Sequence, residues 1–116
     1  MKNILFLLMF PVLCFGQYTS IPDSIFEQRL IDWGYDTIQD GQVLTLSIVN
    51  IDSLTFNVPT FWTVPMTNHQ IKDFTGIEDF VNLTYLDCSG NAMEILDLSQ
   101  NPSLTYLDCS GWYLQL

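Results

Sequence analysis

The rhythm of apolar and polar residues changes several times along this chain. Residues 1–16 are apolar almost throughout. From Asp23 onward the apolar positions fall at helical spacing, with Phe26, Leu30 and Trp33 at i, i+4 and i+7 making one stripe. Asp23 or Ser24 can cap this helix, Ser24 with Glu27 makes a capping box, and Gly34 is a C-terminal stop. The spacing therefore predicts a helix over 23–33, whose one apolar face must cover something. The period then shortens to two. Val43-Leu44-Thr45-Leu46 and Leu54-Thr55-Phe56-Asn57-Val58 alternate and read as strands, joined by the short connection 47–53. Tyr18 to Pro22 reads as an exposed leader. Asp36 to Gly41 reads as a turn, with Asp40-Gly41 its strongest signal. Pro59 and Pro65 break a segment holding Phe61 and Trp62, either a loop packed on its neighbours or an exposed contact patch.

From Asn68 a third rhythm begins, with Ile71, Phe74 and Ile77 three residues apart. It leads into a phrase that occurs twice. Leu83-Thr84-Tyr85-Leu86-Asp87-Cys88-Ser89-Gly90 returns unchanged as Leu104-Thr105-Tyr106-Leu107-Asp108-Cys109-Ser110-Gly111, 21 positions on. Self-similarity at that period with this leucine spacing is the signature of leucine-rich repeats. A first coil runs from Leu83 to Ser103. Leu83, Leu86, Cys88 and Met93 take its inward positions, and Asn91 stands where an asparagine side chain can satisfy backbone groups at a turn. Leu96-Asp97-Leu98-Ser99 makes a second extended side. The second coil loses the pattern at Trp112, where asparagine is expected. The expected fold is an α/β-type leucine-rich repeat solenoid: an N-terminal capping helix, then short parallel strands in stacked coils, incomplete at the C-terminus. Its expected divisions are a signal peptide (1–16), a cap region (17–67) and repeat coils (68–116).

Composition narrows what such a chain can do. Lys2, the apolar run to Val12 and the small residue Gly16 have the layout of a secretory signal, too short to span a bilayer. Cleavage after Gly16 is preferred to lipidation at Cys14, because Leu13 stands where a small residue is wanted. Removal of 1–16 leaves Arg29 and Lys72 as the only basic residues against all 13 acids. That balance disfavours nucleic acid, which needs clustered Lys and Arg, and anionic membrane surfaces as well. Cys88 and Cys109 occupy the same place in successive repeats, where stacked coils would bring them to about 5 Å. Buried thiols filling a narrow core, or a disulfide, both fit that spacing.

Candidate chemistry is sparse. The outward positions of the repeated strand are Tyr85, Asp87 and Ser89, then Tyr106, Asp108 and Ser110. A curved solenoid lines its concave face with such positions, so these six are the candidate binding residues. Asp36, Asp40 and Gly41 partly imitate a calcium loop. Ile38 and Ser47 replace two of its ligands, so no metal and no cofactor are expected. His69 is the single histidine, and no nucleophile elbow, phosphate loop or zinc-spaced cluster is present. The chain does not read as an enzyme.

Ile21-Pro22-Asp23 with Phe26-Glu27, Asp40-Gly41-Gln42-Val43-Leu44-Thr45, Thr75-Gly76-Ile77-Glu78-Asp79-Phe80 and Leu86-Asp87-Cys88-Ser89 occur here in that order. Together they resemble secreted leucine-rich repeat proteins of the Bacteroidetes, related in repeat style to internalins. The resemblance implies an exported, secreted or cell-surface, non-catalytic module that binds a protein or a glycan and inserts into no membrane once its signal is removed. Relatives of this kind usually carry many more repeats and often a C-terminal sorting domain, so a truncated product is the alternative expectation. A calcium- or glycan-binding domain is a further one. Asp23-Ser24-Ile25, Asp36-Thr37-Ile38 and Asp52-Ser53-Leu54 also look like the O-glycosylation sites of exported proteins from that phylum.

Overall fold

The computed structural model describes residues 17–57 and 70–110. The signal-like stretch, the segment with Phe61 and Trp62, His69 and Trp112 lie outside the described residues. Regular structure is short: β1 (Tyr18–Ser20), α1 (Ser24–Asp32), β2 (Gln42–Leu44), β3 (Ser53–Thr55), β4 (Tyr85–Asp87) and β5 (Tyr106–Asp108). Single 3-10 turns occupy Thr45–Ser47 and Ile77–Asp79.

The expected solenoid of stacked coils does not form. Among the described residues one helix and two small sheets wrap a single core instead. Tyr18 to Ser20, read as an exposed leader, is a strand that pairs antiparallel with β2 and buries Thr19. The parallel sheet has three strands in the order β3-β4-β5, each of three residues. Leu96 to Ser99, read as a second extended side, forms no strand. The strands near 43–46 and 54–58 are also shorter than expected, because residues 45–47 turn into a 3-10 helix and pairing to β4 ends at Thr55. The physical reason lies in the number of rungs. Three short strands bury too little surface to hold a one-dimensional stack, so α1 and the β1–β2 pair close the core from one end.

The helix owes its place to two residues. Asp23 is its N-cap, with Oδ1 accepting the N–H groups of Ile25 and Phe26 at 3.0 Å each. The second oxygen of the same carboxylate accepts the N–H groups of Lys72 and Asp73, at 2.9 and 3.1 Å. One side chain thus starts the helix and ties it to the loop that precedes the repeats. Phe26 then fills the centre. Its ring lies 5.1 Å from Phe56, 5.5 Å from Phe74 and 6.0 Å from Phe80. Trp33, expected in the same buried stripe, caps the C-terminus half-exposed and touches only the edge of this cluster, 5.2 Å from Phe56.

The repeat supplies a further part of the core. Leu83, Leu86, Cys88 and Met93 are all buried. Asn91 is fully buried and saturated: it accepts the Ile71 N–H at 2.8 Å and donates to the carbonyls of Phe56 and Cys88 at 3.0 and 2.9 Å. Asn101 donates in the same way to Ile77 and Phe80. Gly76 fits a different need. Its φ of 110° is left-handed, and a Cβ there would meet the Ser20 carbonyl at 2.7 Å and the Ile21 side chain, so only glycine lets β1 pack this closely.

Two stability measurements follow. Asp23→Ala should cost about 2 kcal/mol, since it removes a cap and uncovers two loop N–H groups. Asn91→Ala should cost about 3 kcal/mol or more, because it strands a buried N–H and two buried carbonyls. Urea unfolding followed by circular dichroism checks both, and equal midpoints for wild type and variants would refute this assignment.

Candidate functional site

Two groups of side chains have the character of a site. The first is the solvent side of the parallel sheet. In β4 and β5 the register pairs Tyr85 with Tyr106, Leu86 with Leu107 and Asp87 with Asp108. Side chains alternate across a strand, so the leucines face inward and the tyrosines and aspartates face out. The two tyrosine rings stack almost parallel, with centroids 4.3 Å apart and an interplanar angle of 4°. Each aspartate is locked by the serine two residues on. Asp87 Oδ1 accepts the Ser89 N–H at 3.0 Å and its hydroxyl at 2.6 Å, and Asp108 holds Ser110 with the same two distances. The repeated phrase therefore produces the same local turn twice. Bonds from Ser110 hold the Asp108 carboxyl below its usual range, and Tyr85 beside it pushes the Tyr106 phenol up. On the next strand Ser53 and Thr55 continue the exposed rows, level with Tyr85 and Asp87. All six residues singled out from the sequence thus lie together on one face.

The repeat's cysteines belong to the other side. Both are free; Cys88 is buried and Cys109 half-buried. Burial, with Cys109 next to it, pushes the Cys88 thiol up to about 12. A thiol so placed is inert packing, not a nucleophile.

The second group involves a residue that sequence reasoning misplaced. Glu27 does not reach back to close a capping box with Ser24, and Asp23 caps the helix alone. Glu27 is instead 1% exposed, and its oxygens accept the N–H groups of Asp40 and Gly41 at 3.1 and 2.9 Å. It shapes the Asp-Gly turn from beneath. One carboxylate oxygen from each of Glu27, Asp36 and Asp40 lies within 4.8 Å of the other two. Asp36 Oδ2 is buried with no hydrogen-bond partner among the described residues. The signal available in the sequence was positional, since Glu27 directly follows the central Phe26. A separate open groove of about 1010 Å³ runs past Phe74, Ile77, Met93 and Ile95, and includes none of the six strand-face residues.

The carboxyl group of Glu27 has a pH signature. Burial raises it above its ordinary 4.5, outweighing the bonds from Gly41 and Asp40, and the neighbouring Asp36 and Asp40 carboxyls add to the rise. A raised acid binds its proton more tightly in the fold than in the unfolded chain. Its contribution is therefore complete below pH 4.5 and declines as pH rises above that value. The lowered Asp97 and Asp108 act oppositely and lower down, losing their contribution as pH falls below 3.8. Melting temperature should consequently fall as pH rises from 4.5 toward neutrality, and Asp36→Asn should flatten the fall; calorimetry across that range would expose a flat wild-type profile as contrary evidence.

No protein-family model matches this sequence, and no curated protein matches it. Solved structures do. The chain resembles the functional domain of InlJ from Listeria monocytogenes, which includes a cysteine ladder, with a TM-score of 0.64 and 30% identity over 87% of this chain. It also resembles the CBM51-2 and INT domains of ZmpB from Clostridium perfringens, with a TM-score of 0.59 and 22% identity over 78% of this chain, a likeness of fold alone. The matches cover 21% and 17% of those chains, so this one spans about a fifth of their length. Among the described residues no helix is long and apolar enough to cross a membrane. The fold is leucine-rich-repeat-like, built as one helix and two small sheets rather than as a stacked solenoid.

Proposed function

We propose that this chain is a non-catalytic interaction module, exported to the cell surface or secreted, which binds a protein through the open face of its parallel sheet. One observation carries the reading. Parallel sheets are ordinarily covered on both faces, whereas here Leu54 and Leu86 are buried on one side while Ser53, Thr55, Tyr106 and Ser110 stand exposed on the other. Among the described residues this exposed side holds a stacked aromatic pair and a row of hydroxyl and carboxylate groups in fixed geometry. Tyrosine of this kind gives large contact area with little loss of side-chain freedom on binding. Export is supported by the signal-like layout of residues 1–16, and a surface role by the resemblance of the repeat motifs to secreted leucine-rich repeat proteins. The motifs near Asp23, Asp40 and Gly76 support a Bacteroidetes-type secreted repeat protein. The absence of any catalytic motif from the sequence supports a binding role over an enzymatic one.

Panning a displayed random-peptide library against the protein tests the reading. Selected peptides should lose about tenfold or more in affinity, on the order of 1.4 kcal/mol, against Tyr85→Ala/Tyr106→Ala. The melting temperature of that variant should move little, because both rings stand on the surface side of the sheet. Peptides that bind wild type and variant equally would contradict the proposal.

A further inference from the structure

We propose that the partner seated on this face is an extended, arginine-bearing segment, whose guanidinium groups bridge Asp87 and Asp108 beside the stacked tyrosines. This deepens the binding role just proposed and rests on it. The two aspartates stand in register on neighbouring parallel strands, so their side chains project side by side at one strand spacing. Like charges so placed repel, and each keeps its Oδ1 occupied by its own serine. Those serine bonds fix both carboxylates in position, so no side-chain freedom is lost when a ligand arrives. Among the described residues the chain offers no cation of its own here: Arg29 lies on α1 and Lys72 in the loop held by Asp23. A planar guanidinium with its fork of N–H donors suits two adjacent carboxylates better than an ammonium does.

The two adjacent carboxylates favour this partner over a neutral sugar. Tyr85 and Tyr106 cover each other's inner faces at 4.3 Å, so neither inner face is open to a pyranose ring. What the pair presents is an edge with two hydroxyl groups, next to two carboxylates. Ser53 and Thr55 extend this row by one strand and can accept or donate hydrogen bonds to the backbone of an extended segment.

The test uses a synthetic peptide of alternating arginine and glycine, with a glutamine-for-arginine peptide of equal length, each titrated into the isotopically labelled protein at physiological salt. The arginine peptide should shift the amide signals of residues 85–89 and 106–110. Its affinity should fall about tenfold or more in Asp87→Asn/Asp108→Asn, whose amide oxygens can still accept the serine bonds. It should fall less than about threefold in Glu94→Gln/Asp97→Asn, which removes the same charge elsewhere. Equal losses in the two variants, or shifts away from the sheet, would reduce the effect to diffuse attraction and overturn the proposal. If the glutamine peptide shifts the same amides as strongly as the arginine peptide, the arginine preference is wrong while the binding face stands. If displayed peptides ignore the tyrosine variant as well, the face itself is wrong.

Discussion

The constraint that governs this molecule is the need to satisfy backbone polar groups in a chain with very little regular structure. Among the described residues the strands are three residues long and the one α-helix has nine. Most backbone N–H and C=O groups near the core therefore cannot find partners in a ladder, and each one left dry would cost a substantial part of a small domain's stability. Backbone turn bonds and, where these run out, side chains do the work instead. Asp23 takes four N–H groups, Glu27 takes two, and Asn91 and Asn101 between them hold loop carbonyls from Phe56 to Cys88. These residues are polar atoms placed where hydrophobic packing needs irregular backbone to pass.

That constraint links the core to the surface. Asn91 sets where the chain turns after Ser89, and so sets how β4 presents Tyr85 and Asp87. The Phe26 cluster holds α1 against both Phe56, just after β3, and Phe80, just before β4. The sheet is thus anchored from behind at two of its strands. Its front is free to carry side chains chosen for contact. β5 is held less firmly: Leu107 is 43% exposed, whereas Leu86, its partner in register, is fully buried.

The parts of this design visible in the sequence were the ones that repeat or alternate. Period 21 correctly paired Tyr85 with Tyr106 and placed Leu86, Cys88 and Met93 inside, because a repeat copies both register and burial. The i, i+4 spacing found the helix for the same reason. What could not be read were single residues with long-range jobs. Nothing local marks Asp23 as the partner of Lys72 or Glu27 as the partner of Gly41, since those bonds span 49 and 14 positions. Nor does alternation alone tell a strand from a leader, as Tyr18 to Ser20 shows by pairing with a strand that follows the helix. The stacked solenoid was expected because two good copies of a coil suggest many, while only three short strands pair among the described residues.

The dependence on buried side-chain partners can be tested without any substitution. Native-state hydrogen exchange reads the protection of single amides. The N–H of Ile71, held only by Asn91, and that of Gly41, held by Glu27, belong to no strand or helix. If side chains hold the fold, both should exchange as slowly as the Leu86 amide, opening only when the whole domain unfolds. Exchange at these two sites orders of magnitude faster than at Leu86 would show that the loops open independently, and that hydrophobic packing alone maintains the sheet.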